Sequence, residues 1–132
     1  QVCAAMDARR HQIYNARFQV DGQCPRRLTP DRAISLDDLV QELAGTQTPQ
    51  LVVGDGAQLC YDALTAAGIP AVLAPPNLRM QSAWGVARQA LALAQAGQTL
   101  SPAQLVPVYH RLSQAERERL EREQAAQTPH PQ

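Results

Sequence analysis

The chain has 132 residues, 45% of them hydrophobic, with 12 basic residues against 12 acidic ones and a formal net charge of zero. That length suits one domain with its own core and is short for two. Neutrality excludes a protein that holds nucleic acid or an anionic membrane through a broad positive field, while leaving room for a local basic patch.

Residues 2–6 (Val2, Cys3, Ala4, Ala5, Met6) form an unbroken apolar run, the pattern of a strand buried on both faces. A strand of that kind at residue 2 predicts that the chain is the second half of a larger protein. Asp7, Ala8, Arg9 and Arg10 then read as a turn. Beyond it Tyr14, Ala16, Phe18 and Val20 alternate with Asn15, Arg17 and Gln19, which predicts a second strand with Tyr14, Ala16, Phe18 and Val20 on its buried face. Asp21-Gly22 is a further turn signal, and 26–34 is expected as a third strand, interrupted by Pro30 and therefore at an edge or bulged.

The period then changes to that of helices. Ser35 is placed as an N-cap, Asp37 and Asp38 oppose the helix dipole in the first turn, and Leu36, Leu39, Val40 and Leu43 share one face, with Gly45 ending the helix. A short strand at 51–53 leads through Gly54-Asp55-Gly56 into a second helix with a stripe of Leu59, Cys60, Ala63, Leu64 and Ala67, closed by Gly68. Another strand is expected at 69–73, stopped by Pro75-Pro76. A helix over 80–96 follows, in which Met80, Ala83, Trp84, Ala87, Leu91 and Ala94 recur at helical spacing. Met80, Trp84 and Tyr61 are expected in the core rather than as a base-stacking platform, because no basic residues are interleaved with them.

Ser101-Pro102 opens at most one short turn before Pro107, and Tyr109, His110 and Arg111 are expected in an extended connector. Ser113 to Glu116 matches a capping box and starts a Glu/Arg-rich helix with Leu120 as its only large apolar residue. Its pairs Glu118–Arg122 and Arg119–Glu123 each contribute roughly 0.2 to 0.5 kcal/mol. Such a helix is a solvated appendage, the commoner outcome, or a contact element for another molecule. Residues 1–100 are thus expected as one subdomain, 101–126 as a connector with a charged helix, and 127–132 as a disordered tail. The order βββαβαβα, a mixed sheet of about five strands flanked by helices, is that of the ribonuclease H-like core shared with actin-like ATPases.

Candidate chemistry is sparse. Asp7 and Asp55, at the ends of the first and fourth strands, are expected near each other, and with Glu42 or Asp38 they supply the carboxylates that a two-metal nuclease needs. Against this, an Asx turn or helix N-cap accounts for Asp55, and a hairpin corner accounts for Asp7. Gly54-Asp55-Gly56 suits a phosphate-binding turn but lacks the rest of any phosphate motif, and the chain has no lysine. His11, His110 and His130 are isolated. Cys3, Cys24 and Cys60 fit no zinc or redox spacing and are expected as small buried hydrophobes in a reducing compartment. No cofactor is expected, and no segment is apolar for long enough to cross a membrane as a helix.

Asp7-Ala8-Arg9-Arg10-x-x-x-Tyr14, Gly54-Asp55-Gly56-Ala57 and Ser101-Pro102-Ala103-x-Leu105-x-Pro107-x-Tyr109-x-Arg111, followed by the Glu/Arg-rich stretch, resemble the carboxyl-terminal half of the TsaB (YeaZ) family. His11-Gln12 stands where that family commonly has Gly-Glu. The resemblance implies an actin-like ATPase fold and a cytoplasmic, non-catalytic partner of the TsaD subunit and the TsaE ATPase. That system makes threonylcarbamoyladenosine in tRNA beside the anticodon, and the TsaB member would touch tRNA only indirectly. It further implies homodimerisation through the absent amino-terminal half, and that glycoprotease labels are wrong. Tyr109, Arg111, Arg117 and Leu120 are the candidate partner contacts. The competing reading is a metal-dependent ribonuclease H-like nuclease using Asp7, Asp55 and Glu42, and a weaker one is an ATPase fragment.

Overall fold

The structure, a computed structural model, describes residues 1–22, 25–110, 119, 122 and 123. The first two apolar segments form the antiparallel hairpin of β1 (Val2–Asp7) and β2 (Gln12–Gln19), in register from Val2 opposite Phe18 to Asp7 opposite Ile13. The expected third strand is two short ones, β3 (Arg26–Arg27) and β4 (Arg32–Ser35), both paired antiparallel with β2. Pro30 lies in the gap between them, where the lost N–H interrupts no ladder. β5 (Gln50–Val53) runs parallel to β1, and β6 (Ala71–Leu73) runs parallel to β5. The result is a mixed six-stranded sheet in the order β3-β2-β1-β5-β6, with β4 also on β2.

Helix α1 (Leu36–Leu43) starts as its sequence dictates. The Ser35 hydroxyl accepts from the Asp38 N–H at 3.0 Å and donates to the Asp38 carboxylate at 2.6 Å, so Asp38 belongs to the cap. Gly45, at φ 78°, follows the C-cap Ala44. Helix α2 (Ala57–Ala66) buries Ala57, Cys60 and Leu64, while Leu59 and Ala67 of the expected stripe are exposed. Both helices cover one face of the sheet, where Cys3, Ala5, Ile13, Leu39, Leu43 and Val52 make the core and Tyr61 packs half-buried against it.

Two expectations change beyond this point. Pro75-Pro76 does not simply stop the chain: Pro76 opens a short helix α3 (Pro76–Arg79), a position at which its ring is tolerated. The long helix α4 (Ala83–Gln95) begins three residues later than expected, capped by the Ser82 hydroxyl on the Gly85 N–H. None of its thirteen residues is buried: Trp84 is 70% exposed and Met80, just before it, 60%. Helical spacing identified a stripe that needs cover, and the described residues do not supply it.

Replacing the cap, Ser35→Ala, is expected to cost about 1 kcal/mol of stability in urea denaturation, because the Asp38 N–H loses its acceptor at a helix start.

Candidate functional site

In open sheets with parallel strands, ligands gather at the carboxyl ends of those strands. Here the ends of β1 and β5 lie side by side, and Asp7 and Asp55 meet there as the sequence predicts. The Asp55 Oδ1 accepts the Asp7 backbone N–H at 3.1 Å. The N-cap of α2 is Gly56, with no side-chain cap, so Asp55 serves strand β1 rather than the helix it precedes. Asp7 in turn holds its own corner. Its Oδ1 accepts the Arg9 N–H at 2.7 Å, and its Oδ2 faces the exposed Arg9 guanidinium at 3.5 Å.

The flanking glycines explain themselves by distance. A Cβ on Gly54 would stand 2.0 Å from the Ala5 carbonyl oxygen, and one on Gly56 would stand 2.8 Å from the Asp7 nitrogen. Gly54 also sits at φ 109°, a region that side chains disfavour. The Gly56 N–H donates to the Ala5 carbonyl at 3.0 Å and the Gly54 N–H to the Arg79 carbonyl at 2.6 Å. The N–H groups of both glycines are therefore consumed in joining β1, β5 and α3, and are not free to cradle a phosphate.

The third candidate carboxylate is elsewhere. Glu42, on α1, receives Arg17 at 2.9 Å on Oε1 and Arg32 at 2.7 Å on Oε2. Arg17 pairs with Cys3, four residues along the hairpin from the Asp7–Ile13 pair and so about 13 Å away along the backbone. The hydrogen bond from Arg32, helped by Arg17 and opposed by partial burial, holds the Glu42 carboxyl below its ordinary range. Among the described residues no group of three His, Cys, Asp or Glu side chains is placed to hold a metal ion. The structure thus brings Asp7 to Asp55 and keeps Glu42 apart, in a charge pair that ties α1 to β2 and β4.

Beside that pair lies a buried polar line. Asn15, 3% exposed, donates to the Cys3 sulfur at 3.3 Å and to the Ala4 carbonyl at 2.9 Å, and accepts from Arg32 at 3.1 Å. Cys3 and Cys60 are buried as expected, with their sulfurs 4.0 Å apart, a contact between β1 and α2 that sequence spacing did not show. The contact with Cys3, together with burial, pushes the Cys60 thiol upward. Hydrogen bonds from Cys60 and then Asn15 lower the Cys3 thiol against the opposing effect of burial. Cys24 lies outside the described residues.

The second face of the sheet carries what the sequence misassigned. On β2 the helix-covered side bears Ile13, Asn15 and Arg17, so Tyr14, Ala16 and Phe18 point the other way. They share that side with Val2, Ala4 and Met6 of β1, which is why the unbroken run of β1 is only half-covered there. A cleft of about 380 Å³ opens on this side, floored by Ala4 and Ala16, walled by Met6, Tyr14 and Phe18, and bordered by residues 108–110. Tyr109 stands beside it, 84% exposed, in a segment without regular structure as expected. Arg111, Arg117 and Leu120 lie outside the described residues; Arg119 and Glu123 form the expected i,i+4 pair at 2.8 Å. The signal for the cleft was present in the alternation of β2, but alternation shows which residues share a face and not which face the helices take.

These features define the class: an α/β domain of ribonuclease H-like fold, whose strand-end carboxylates are engaged by its own backbone. No protein-family profile matches the chain, and no curated protein matches it in sequence. Among solved structures, it is similar to a Pseudomonas aeruginosa protein described as uncharacterized with similarity to peptidase YeaZ, with a TM-score of 0.61 and 20% identity. The match covers 83% of this chain and 49% of that one, so the chain spans about half the neighbour's length.

Gly54→Ala is expected to cost more than about 3 kcal/mol or to prevent folding, since a 2.0 Å contact with backbone adds to left-handed strain; circular dichroism and urea melts read this directly. Glu42→Gln should destabilise at neutral pH and not in acid. A carboxyl held below its unfolded value of about 4.3 stabilises the fold above that pH and loses its contribution as pH falls through the folded value, so wild type and variant should converge once the pH lies below that folded value.

Proposed function

We propose that the chain is the carboxyl-terminal ribonuclease H-like half of a TsaB (YeaZ)-type protein, a non-catalytic partner of a TsaD-type subunit in making threonylcarbamoyladenosine in tRNA. The observation that carries this reading is the fold shared with a YeaZ-like neighbour over 83% of the chain. It is independent of the hairpin and carboxyl-terminal motifs that carry the sequence resemblance. Supporting it, Asp7 and Asp55, the candidates for chemistry, have structural duties: one closes its hairpin and the other caps the end of β1. A nuclease reading would need Glu42 to leave two arginines and join them.

In this reading the protein works through its surfaces, with the TsaE ATPase as a further member of the assembly, tRNA contacted only through the catalytic subunit, and the whole in the cytoplasm. The chain matches about half of the neighbour's length, and the other half is the expected route to homodimerisation. Among the described residues no helix is long and apolar enough to cross a membrane. Tyr109, with Arg111, Arg117 and Leu120, is assigned to the partner contact, and the exposure of Tyr109 supports its place there.

The test is capture of a TsaD-type subunit by the tagged natural-length protein, combined with mass spectrometry of tRNA nucleosides after its depletion. Co-purification and loss of threonylcarbamoyladenosine are expected, with Tyr109→Ala weakening capture at least about tenfold, as for an interface anchor. Unchanged nucleoside levels, or no capture, would sink the proposal.

A further inference from the structure

Two thiols face each other in the core. Cys3 on β1 and Cys60 on α2 have no exposed surface, and their sulfurs lie 4.0 Å apart although the residues are 57 positions apart in the chain. Burial alone does not require a thiol at either position, since alanine serves as a core residue at Ala5 and Ala57 on the same two elements. A disulfide holds its sulfurs about 2.05 Å apart, so an approach of roughly 2 Å, by side-chain rotation and settling of α2 on β1, would join them.

The surroundings of the two sulfurs differ. Cys3 lies opposite Arg17 in the hairpin register, and its sulfur accepts the Asn15 amide N–H at 3.3 Å. Glu42 fixes Arg17 and Arg32, whose positive charge reaches the same sulfur. The hydrogen bond from Cys60 comes first among the influences that favour a thiolate at Cys3, followed by Asn15 and the two arginines, with burial opposing them. Cys60 holds its proton, because the hydrogen bond it donates to Cys3 and its own burial both disfavour its charged form. One sulfur is set as the nucleophile and the other as the thiol that follows it.

We propose that Cys3 and Cys60 form a dithiol oxidised by peroxide, closing to a disulfide that clamps α2 onto β1. The Cys3 thiolate attacks one oxygen of hydrogen peroxide, the O–O bond breaks, and the departing hydroxide takes a proton from solvent to become water. Cys3 is then a sulfenic acid. The Cys60 sulfur attacks the Cys3 sulfur, an S–S bond replaces the S–O bond, and the hydroxide leaves as water with the Cys60 proton. Two thiols and one peroxide become one disulfide and two waters, with two electrons passing from sulfur to oxygen.

A core site admits the oxidant only when it opens, so the reaction runs at the pace of a local parting of α2 from β1 and more slowly than at a surface thiol. The bond encloses β2, β3, β4, α1 and β5 in one covalent loop and leaves α3, α4 and the segment beyond them outside it. Oxidation therefore stiffens the sheet and its glycine turn while the exposed surfaces after α2 stay as they are.

The test is hydrogen peroxide added to the folded, fully reduced 132-residue chain at neutral pH, followed by alkylation and mass spectrometry. The expected product has lost two hydrogens, yields a peptide linking Cys3 to Cys60 and regains both thiols with dithiothreitol. It should also unfold at a higher temperature than the reduced chain, as a cross-link over a loop of this length predicts. In Cys60→Ala, dimedone should capture a sulfenic acid on Cys3; in Cys3→Ala it should capture none on Cys60. The wild-type linkage is read without either variant.

The inference is overturned by thiols that stay free at peroxide levels that oxidise the exposed Met6 and Met80, or by a disulfide that joins Cys24 instead. Linkage that appears only in urea overturns it too, as does a linked chain that unfolds no later than the reduced one, or dimedone capture at Cys60 in place of Cys3.

Discussion

The structure depends on one close approach of backbone to backbone. Gly54 and Gly56 bring the turn after β5 against the last residues of β1, at distances that exclude any Cβ. From that contact Asp55 reaches the Asp7 N–H, Gly56 reaches the Ala5 carbonyl, and the Gly54 N–H fastens α3 through the Arg79 carbonyl. Move this turn outward by the width of a methyl group and the parallel pairing of β1 with β5 loses its end, together with the seat of α2 on the core. Hydrophobic burial drives the sheet and helices together, but it is non-directional; the glycine turn fixes which strand lies beside which.

Much of this was legible in the chain. Periodicity located the hairpin, α1, α2 and the strand between them, and chemistry located the Ser35 cap and the closing glycines. Pro30 correctly marked an interruption, though its effect was to divide a strand in two. The proximity of Asp7 and Asp55 followed from topology alone. What failed was sidedness. Tyr14, Ala16 and Phe18 alternate so regularly that they read as the core face, yet the helices cover the side bearing Asn15 and Arg17, whose polar groups are paired with Cys3, Ala4 and Glu42. Likewise the apolar spacing around Trp84 predicted burial without saying against what. Both errors have one physical source: a pattern reports that a surface needs cover and is silent on which molecule provides it.

For the candidate site, the consequence is a separation of duties. The strand ends, where α/β sheets usually do their chemistry, are tied off by the protein's own carboxylates and amides. Among the described residues, the surfaces left uncovered are much of the apolar face of the sheet and helix α4. A protein so arranged invests its order in presenting surfaces, which suits the role proposed for it and the fold it shares with a YeaZ-like neighbour.

The hairpin corner carries a last implication. Arg9, Arg10 and His11 all adopt left-handed backbone, at φ 65°, 54° and 57°, a conformation that costs a side-chain-bearing residue about 1–2 kcal/mol. Two of the bonds at this corner come from far along the chain: Asp55 holds the Asp7 N–H, and the Leu36 N–H donates to the His11 carbonyl. No glycine or Asn-Gly pair favours the turn locally. A short-range hairpin would ordinarily be the first thing to form, yet this one is completed by residues 25 to 48 positions away. The left-handed corner at the head of the sheet is thus held in part from the turn after β5 and from α1, so its stability depends on elements far along the chain.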